Sequence, residues 1–135
     1  MAGTLRWMSP ELIVPEKFGL TNSRPTMASD CYAFGMVVYE TISGNVPFYE
    51  YSTMVVSVKA VLGECPHRIH GFTDNLWEML ELCWTPEPSA RPSIEEVLQC
   101  LQGISNLKEP QTSRPHPVDE EMLDSSNDWV DGRFF

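Results

Sequence analysis

The sequence predicts a mainly α fold followed by an acidic, disordered tail. Three observations carry that expectation. The stretch Ser29 to Phe48 is apolar at nearly every position up to Gly44, with Cys31, Tyr32, Phe34, Met36, Val37, Val38, Tyr39 and Ile42 inside it. Three further segments, Ser52 to Leu62, Thr73 to Trp84 and Ser93 to Ser105, repeat apolar residues at helical spacing. From Leu107 onward the pattern stops: Pro110, Pro115 and Pro117 interrupt the chain, and Asp119, Glu120, Glu121, Asp124, Asp128 and Asp131 make it acidic. The division is therefore a helical body over 1–106 and a tail over 107–135.

Taken in order, residues 1 to 11 read as a loop. A short turn is expected over Pro10 to Val14, and Glu16 to Met27 as an irregular connection, since Pro, Lys, Gly, Asn and Arg stand there without helical period. Ser29 or Asp30 can cap the first long helix, because a short side-chain oxygen accepts from an otherwise unpaired backbone N–H. Gly44 can end it in the left-handed conformation, and Pro47 follows where no helix continues. A helix apolar on all sides must be covered on all sides. It is also too short to span a bilayer, which takes roughly twenty apolar residues. It is therefore expected to be central.

In the next segment Met54, Val55, Val58, Val61 and Leu62 form one face, closed by Gly63. Glu64 to Phe72 is a loop. Thr73 or Asp74 caps a helix carrying Leu76, Trp77, Met79, Leu80 and Cys83, which Pro86 and Pro88 terminate. Ser93 and Glu96 form a capping box, each side chain serving the other's backbone N–H. Ile94, Val97, Leu98, Leu101 and Ile104 mark one face of the last helix. In the tail, Met122, Leu123, Trp129, Val130, Phe134 and Phe135 offer an alternative reading as anchors for a partner groove.

Composition narrows the function classes. The chain of 135 residues suffices for one domain, and its 42% hydrophobic and 21% charged content is ordinary for a globular protein. A net charge of -10 argues against nucleic acid or an anionic membrane surface as partner, since both call for a basic patch. No long apolar run and no signal-peptide pattern stand near Met1, so an intracellular, cytoplasmic location is expected. Cys31, Cys65, Cys83 and Cys100 contain no C-x-x-C and read as free thiols. Cys65, His67 and His70 lie close together, but no fourth ligand at zinc-site spacing follows, so a polar loop is the expectation there.

Three stretches in fixed order carry a family resemblance. Asp30-Cys31-Tyr32-Ala33-Phe34-Gly35 resembles the D-x-W-S-F-G opening of helix F in eukaryotic protein kinases. Gly3-Thr4-Leu5-Arg6-Trp7-Met8-Ser9-Pro10-Glu11 resembles the substrate-facing loop and the A-P-E signature, with Ser9 in place of Ala. Cys83-Trp84-Thr85-Pro86-Glu87-Pro88-Ser89-Ala90-Arg91-Pro92 resembles the C-W-x-x-x-P-x-x-R-P stretch near the kinase C-terminus. The resemblance covers about residues 1 to 106, and tyrosine-kinase-like Ser/Thr kinases are the nearest type. It implies the C-terminal part of the kinase large lobe, helices F to I.

By this resemblance Thr4, Leu5, Arg6 and Trp7 belong to the substrate loop. Thr4 matches the threonine that bonds the catalytic aspartate and lysine in Ser/Thr kinases, where tyrosine kinases usually carry Pro. Glu11 and Arg91 match a structural pair, in which a carboxylate and a planar guanidinium share two parallel hydrogen bonds. Asp30 matches the aspartate that accepts from the catalytic-loop backbone, and it also suits an ordinary helix cap. The segment 52–62 matches helix G, which often docks substrates and partners in that family. A core-facing helix would explain the same stripe.

Phosphoryl transfer needs a Gly-rich phosphate cover, a nucleotide lysine, a base aspartate and a metal-binding aspartate. No G-x-G, V-A-I-K-like strand, H-R-D or D-F-G occurs in these 135 residues. The expectation is thus no catalytic, cofactor-binding or metal residue in the chain itself, ATP and Mg belonging to the parent family. Three functional readings follow: a fragment of a signalling Ser/Thr kinase domain, with Tyr as a further acceptor, silent alone; a non-catalytic binding or decoy module; or a truncated product of a longer gene. The expected partner is a protein, met through the substrate loop and the helix G segment.

Overall fold

The computed structural model describes residues 4–108. Among these residues five α-helices follow one another: α1 (Pro10–Ile13), α2 (Met27–Ser43), α3 (Thr53–Val61), α4 (Asp74–Cys83) and α5 (Ile94–Lys108). Short 3-10 turns stand at Leu5–Trp7, Pro15–Phe18 and Pro88–Ala90. The turn at Pro15–Phe18 runs into the stretch expected to be irregular, and it and the turn at Pro88–Ala90 are each opened by a proline whose fixed φ suits a first helical position. The last helix runs three residues past Ser105, to Lys108. The acidic tail beyond it lies outside the described residues.

The start of α2 corrects the expected cap. Thr26, not Ser29 or Asp30, is the N-cap, and its side chain accepts from Ser29 N at 3.1 Å. Ser29 returns the bond, its Oγ accepting from Thr26 N at 2.7 Å. A serine thus does the work usually given to Glu or Gln in a capping box, and no Glu or Gln stands there to signal the start. Gly44 ends the helix at φ +71°, as its place in the sequence suggests.

A shared core lies between α2 and α4. Tyr32, Met36 and Tyr39 from α2 meet Leu76, Trp77, Met79, Leu80 and Cys83 from α4, with Trp84 just beyond and Val97 from α5. Tyr39 stacks on Phe72 at 5.4 Å, and the Trp77 and Trp84 rings meet edge-on at 5.5 Å. Such pairs add about 0.5–1.5 kcal/mol beyond burial. Gly35 permits the approach: a Cβ there would stand 2.7 Å from Trp84 Nε1 and 3.0 Å from Cys83 Cβ.

Apolar faces remain open on three helices. The helix α2 is not covered on all sides, since Met27, Val37 and Ile42 are exposed. The apolar stripe of α3 points outward. Met54, Val58 and Leu62 are 82%, 57% and 67% exposed, and only Val56 and Ala60 are buried. The reason is packing geometry: α3 rests on α1 and on the first 3-10 turn through its narrow Val56–Ala60 side. Periodicity showed that a stripe existed but not which way it faced. In α5, likewise, Val97 is buried while Ile94 and Leu98 are exposed.

Candidate functional site

The loop carrying Thr4, Leu5, Arg6 and Trp7 is a 3-10 turn tied to the body by its own side chains. Arg6 Nη1 donates to Pro47 O at 3.0 Å and Phe48 O at 2.8 Å, and Nη2 donates to Tyr51 O at 2.7 Å. These carbonyls belong to the turn after α2, where Phe48 sits at φ +55° with its ring in the core. A left-handed backbone costs a non-glycine residue on the order of 1 kcal/mol or more and persists only where the surroundings hold it. Arg6 and the buried ring supply that hold. Trp7 Nε1 donates to Glu40 Oε2 at 3.0 Å, pinning the loop to α2. Thr4 precedes the turn, and its carbonyl accepts from Trp7 N at 3.1 Å.

An ion pair joins distant parts of the chain. Arg91 Nη1 donates to Glu11 Oε1 at 2.7 Å and Nη2 to Glu11 Oε2 at 2.8 Å. Both side chains are almost wholly buried. The remaining Arg91 donors are also occupied, by Thr85 O (2.9 Å), Ala28 O (3.0 Å) and Pro86 O (3.3 Å). Burial alone would raise the Glu11 carboxyl. The hydrogen bonds and charge of Arg91 outweigh it and hold the group below its ordinary value. Ser9 is buried beside the same carboxylate without a well-aligned hydrogen bond to it. The pair fastens α1 to the start of α2 and to the turn before α5.

The structure brings Thr4 to Trp7 and α3 together on one side, because the first turn packs against α3. Asp30 lies apart, exposed near the start of α2, and lines a cavity with Cys31, Phe34 and Ile94. Glu11 and Arg91 pair with each other, while Arg6 spends its guanidinium donors on three backbone carbonyls. Among the described residues no cluster of three His, Cys, Asp or Glu side chains could hold a metal ion, and no helix is long and apolar enough to cross a membrane. Of the loop at 65–70, His67 meets the Tyr51 ring edge-on, and its carbonyl accepts from Tyr39 Oη at 3.1 Å. Sequence reasoning missed Glu40 and the Pro47–Tyr51 turn. The run Gly44-Asn45-Val46-Pro47 marks a turn, but nothing in it points to Arg6 as its partner.

Comparison with known proteins agrees with this geometry. The sequence model of the protein tyrosine and serine/threonine kinase family matches residues 2–101. Mitogen-activated protein kinase kinase kinase 10 of mouse and of human are each 30% identical over 104 residues, which is 76% of this chain and 10% of theirs. The dual serine/threonine and tyrosine protein kinase of the honeybee Apis mellifera is 28% identical over 138 residues, covering 95% of this chain and 13% of its own. The chain thus spans about a tenth of the length of the curated relatives it matches. With a family model matching most of its length and the paired Glu11 and Arg91 in place, this chain belongs to the protein tyrosine and serine/threonine kinase family.

Proposed function

We propose that this chain is the substrate-facing platform of a Ser/Thr-type protein kinase domain, a piece that presents a protein partner and does not itself transfer phosphate. One observation carries the reading. The 4–7 loop, fixed by Arg6 and Trp7, adjoins α3, whose apolar stripe of Met54, Val58 and Leu62 faces outward. Exposed apolar side chains arrayed along one helix are the usual anchors for a docked protein. ATP and Mg, the signalling role and the cytoplasmic location come with the parent family, and they would act through elements outside the motifs found here. Thr4 favours Ser or Thr as acceptor. The long match to a kinase named for dual specificity keeps Tyr as the second acceptor.

The same surface supports the alternative of a non-catalytic binding or decoy module. The test is binding of a generic kinase substrate protein rich in Ser, Lys and Arg, measured by titration calorimetry. Met54→Asp with Leu62→Asp should abolish binding while the helical circular dichroism stays unchanged. Equal binding by this variant and the parent chain would remove α3 from the reading. A tight one-to-one complex of a monodisperse monomer would favour the binding module over the fragment.

A further inference from the structure

The apolar stripe of α3 has a counterpart elsewhere in the chain. Met54, Val55, Val58 and Leu62 stand exposed along one helix. Residues 119–131, in the acidic tail, place Met122, Leu123, Trp129 and Val130 at i, i+1, i+7 and i+8, the spacing of one helical face. The same stretch carries six carboxylates and no basic side chain. Such a segment needs an apolar surface that does not repel it, and charge separates the candidates. The cavity between α2 and α5, beside Met27 and Ile94, is lined by Asp30 and Glu95. The groove between α4 and α5 is lined by Glu78 and Glu96. Helix α3 contains no acidic residue and carries Lys59. Lys17 adds a second positive charge at its C-terminal end, Nζ donating to Val61 O at 2.6 Å. Lys59 shares its charge with Glu64 at 3.5 Å, whereas among the described residues no ion pair engages Lys17.

Reach is sufficient. The C-terminal end of α3 lies against the segment that leads into α5: a Cβ on Gly63 would stand 3.0 Å from Pro86 Cγ. Helix α5, 15 residues long, then carries the chain about 22 Å to Lys108. An extended chain covers about 3.3 Å per residue, so the residues up to Met122 span as much as about 46 Å and those up to Trp129 about 70 Å. We propose that residues 119–131 occupy the outward stripe of α3 in the same molecule, an autoinhibitory contact that covers the platform until a protein partner displaces it. The proposal rests on the reading of α3 as a docking surface. Met122, Leu123, Trp129 and Val130 meet the α3 stripe as an amphipathic segment laid on an apolar helix face, and the carboxylates between them answer Lys17 and Lys59. Tethering makes such a contact effective even where it is weak, since a linked segment acts at an effective concentration in the millimolar range.

The experiment exposes the full chain to dilute hydrogen peroxide and follows the sulfoxide at each methionine by peptide mass spectrometry. Met54 and Met27 are 82% and 77% exposed on the body, so with α3 uncovered the two oxidise alike. The expected result is oxidation of Met54 several-fold slower than that of Met27, at a ratio independent of chain concentration. Trp129→Asp with Val130→Asp, made in the full chain, raises the Met54 rate to that of Met27 and leaves the helical circular dichroism unchanged. Any of four results overturns the proposal: equal rates in the native chain, protection of Met27 in place of Met54, protection of Met54 that grows with chain concentration, or protection that the tail variant keeps. Loss of substrate binding in Met54→Asp, Leu62→Asp alongside equal rates in the native chain would keep the platform and remove the tail from it.

Discussion

Removing Arg91 is the perturbation from which the structure expects the most. Its guanidinium makes five hydrogen bonds, two to the Glu11 carboxylate and three to the carbonyls of Thr85, Ala28 and Pro86. In Arg91→Ala, Glu11 keeps its burial and loses the charge that compensates it. Breaking one side of such a pair costs about 3–5 kcal/mol. The three carbonyls also lose donors, each at about 1–3 kcal/mol if water cannot reach it. Against a typical domain stability of about 5–15 kcal/mol, this loss is a third or more of the whole. The pair itself need not be strongly stabilising, because desolvating two charges offsets much of their attraction. Urea unfolding followed by tryptophan fluorescence should therefore show a large drop for Arg91→Ala. The double variant Glu11→Gln, Arg91→Met should lie well above it. An Arg91→Ala midpoint equal to that of the parent chain would refute the reasoning, and so would a double variant no better than the single one.

Other expectations follow from single residues. Gly35→Ala should destabilise by about 1–3 kcal/mol in thermal unfolding, since the new Cβ would stand 2.7 Å from the indole nitrogen of the packed Trp84. Thr26→Ala should cost about 1 kcal/mol by loss of the α2 cap, measured as helicity and melting temperature. The Glu11 carboxyl is held below its ordinary 4.5 in the folded chain, so its contribution is complete above that value and is lost as pH falls through the lower folded value. A Glu11→Gln variant should lack this acid-limb loss in a pH series of melts. Exposed Met27, Val37, Ile94 and Leu98 should bind a hydrophobic dye or drive self-association, read by fluorescence and light scattering.

The parts that proved legible in the sequence are local in origin. Gly44, Gly63, Thr73 and the Ser93–Glu96 box are cap chemistry within a few residues, and the structure places each at a helix end. Glu11 and Arg91, 80 residues apart, were found only because two family motifs carry them. What stayed hidden was orientation. A stripe at 54, 58 and 62 has the same spacing whether it meets a core or water, and the neighbour that decides, the α1 side, lies some forty residues away. The Arg6 contacts to the carbonyls of Pro47, Phe48 and Tyr51 were equally invisible, because a carbonyl acceptor leaves no mark on residue type. The Thr26–Ser29 box escaped because serine replaced the expected Glu or Gln.

The central claim separates presenting a partner from transferring phosphate, and one assay addresses that division directly. The purified chain is incubated with Mg and γ-labelled ATP and a generic protein substrate rich in Ser and Thr, beside a blank lacking the chain. The account expects label incorporation indistinguishable from the blank. Incorporation above the blank that persists through purification, and that the Met54→Asp, Leu62→Asp variant reduces, would contradict it.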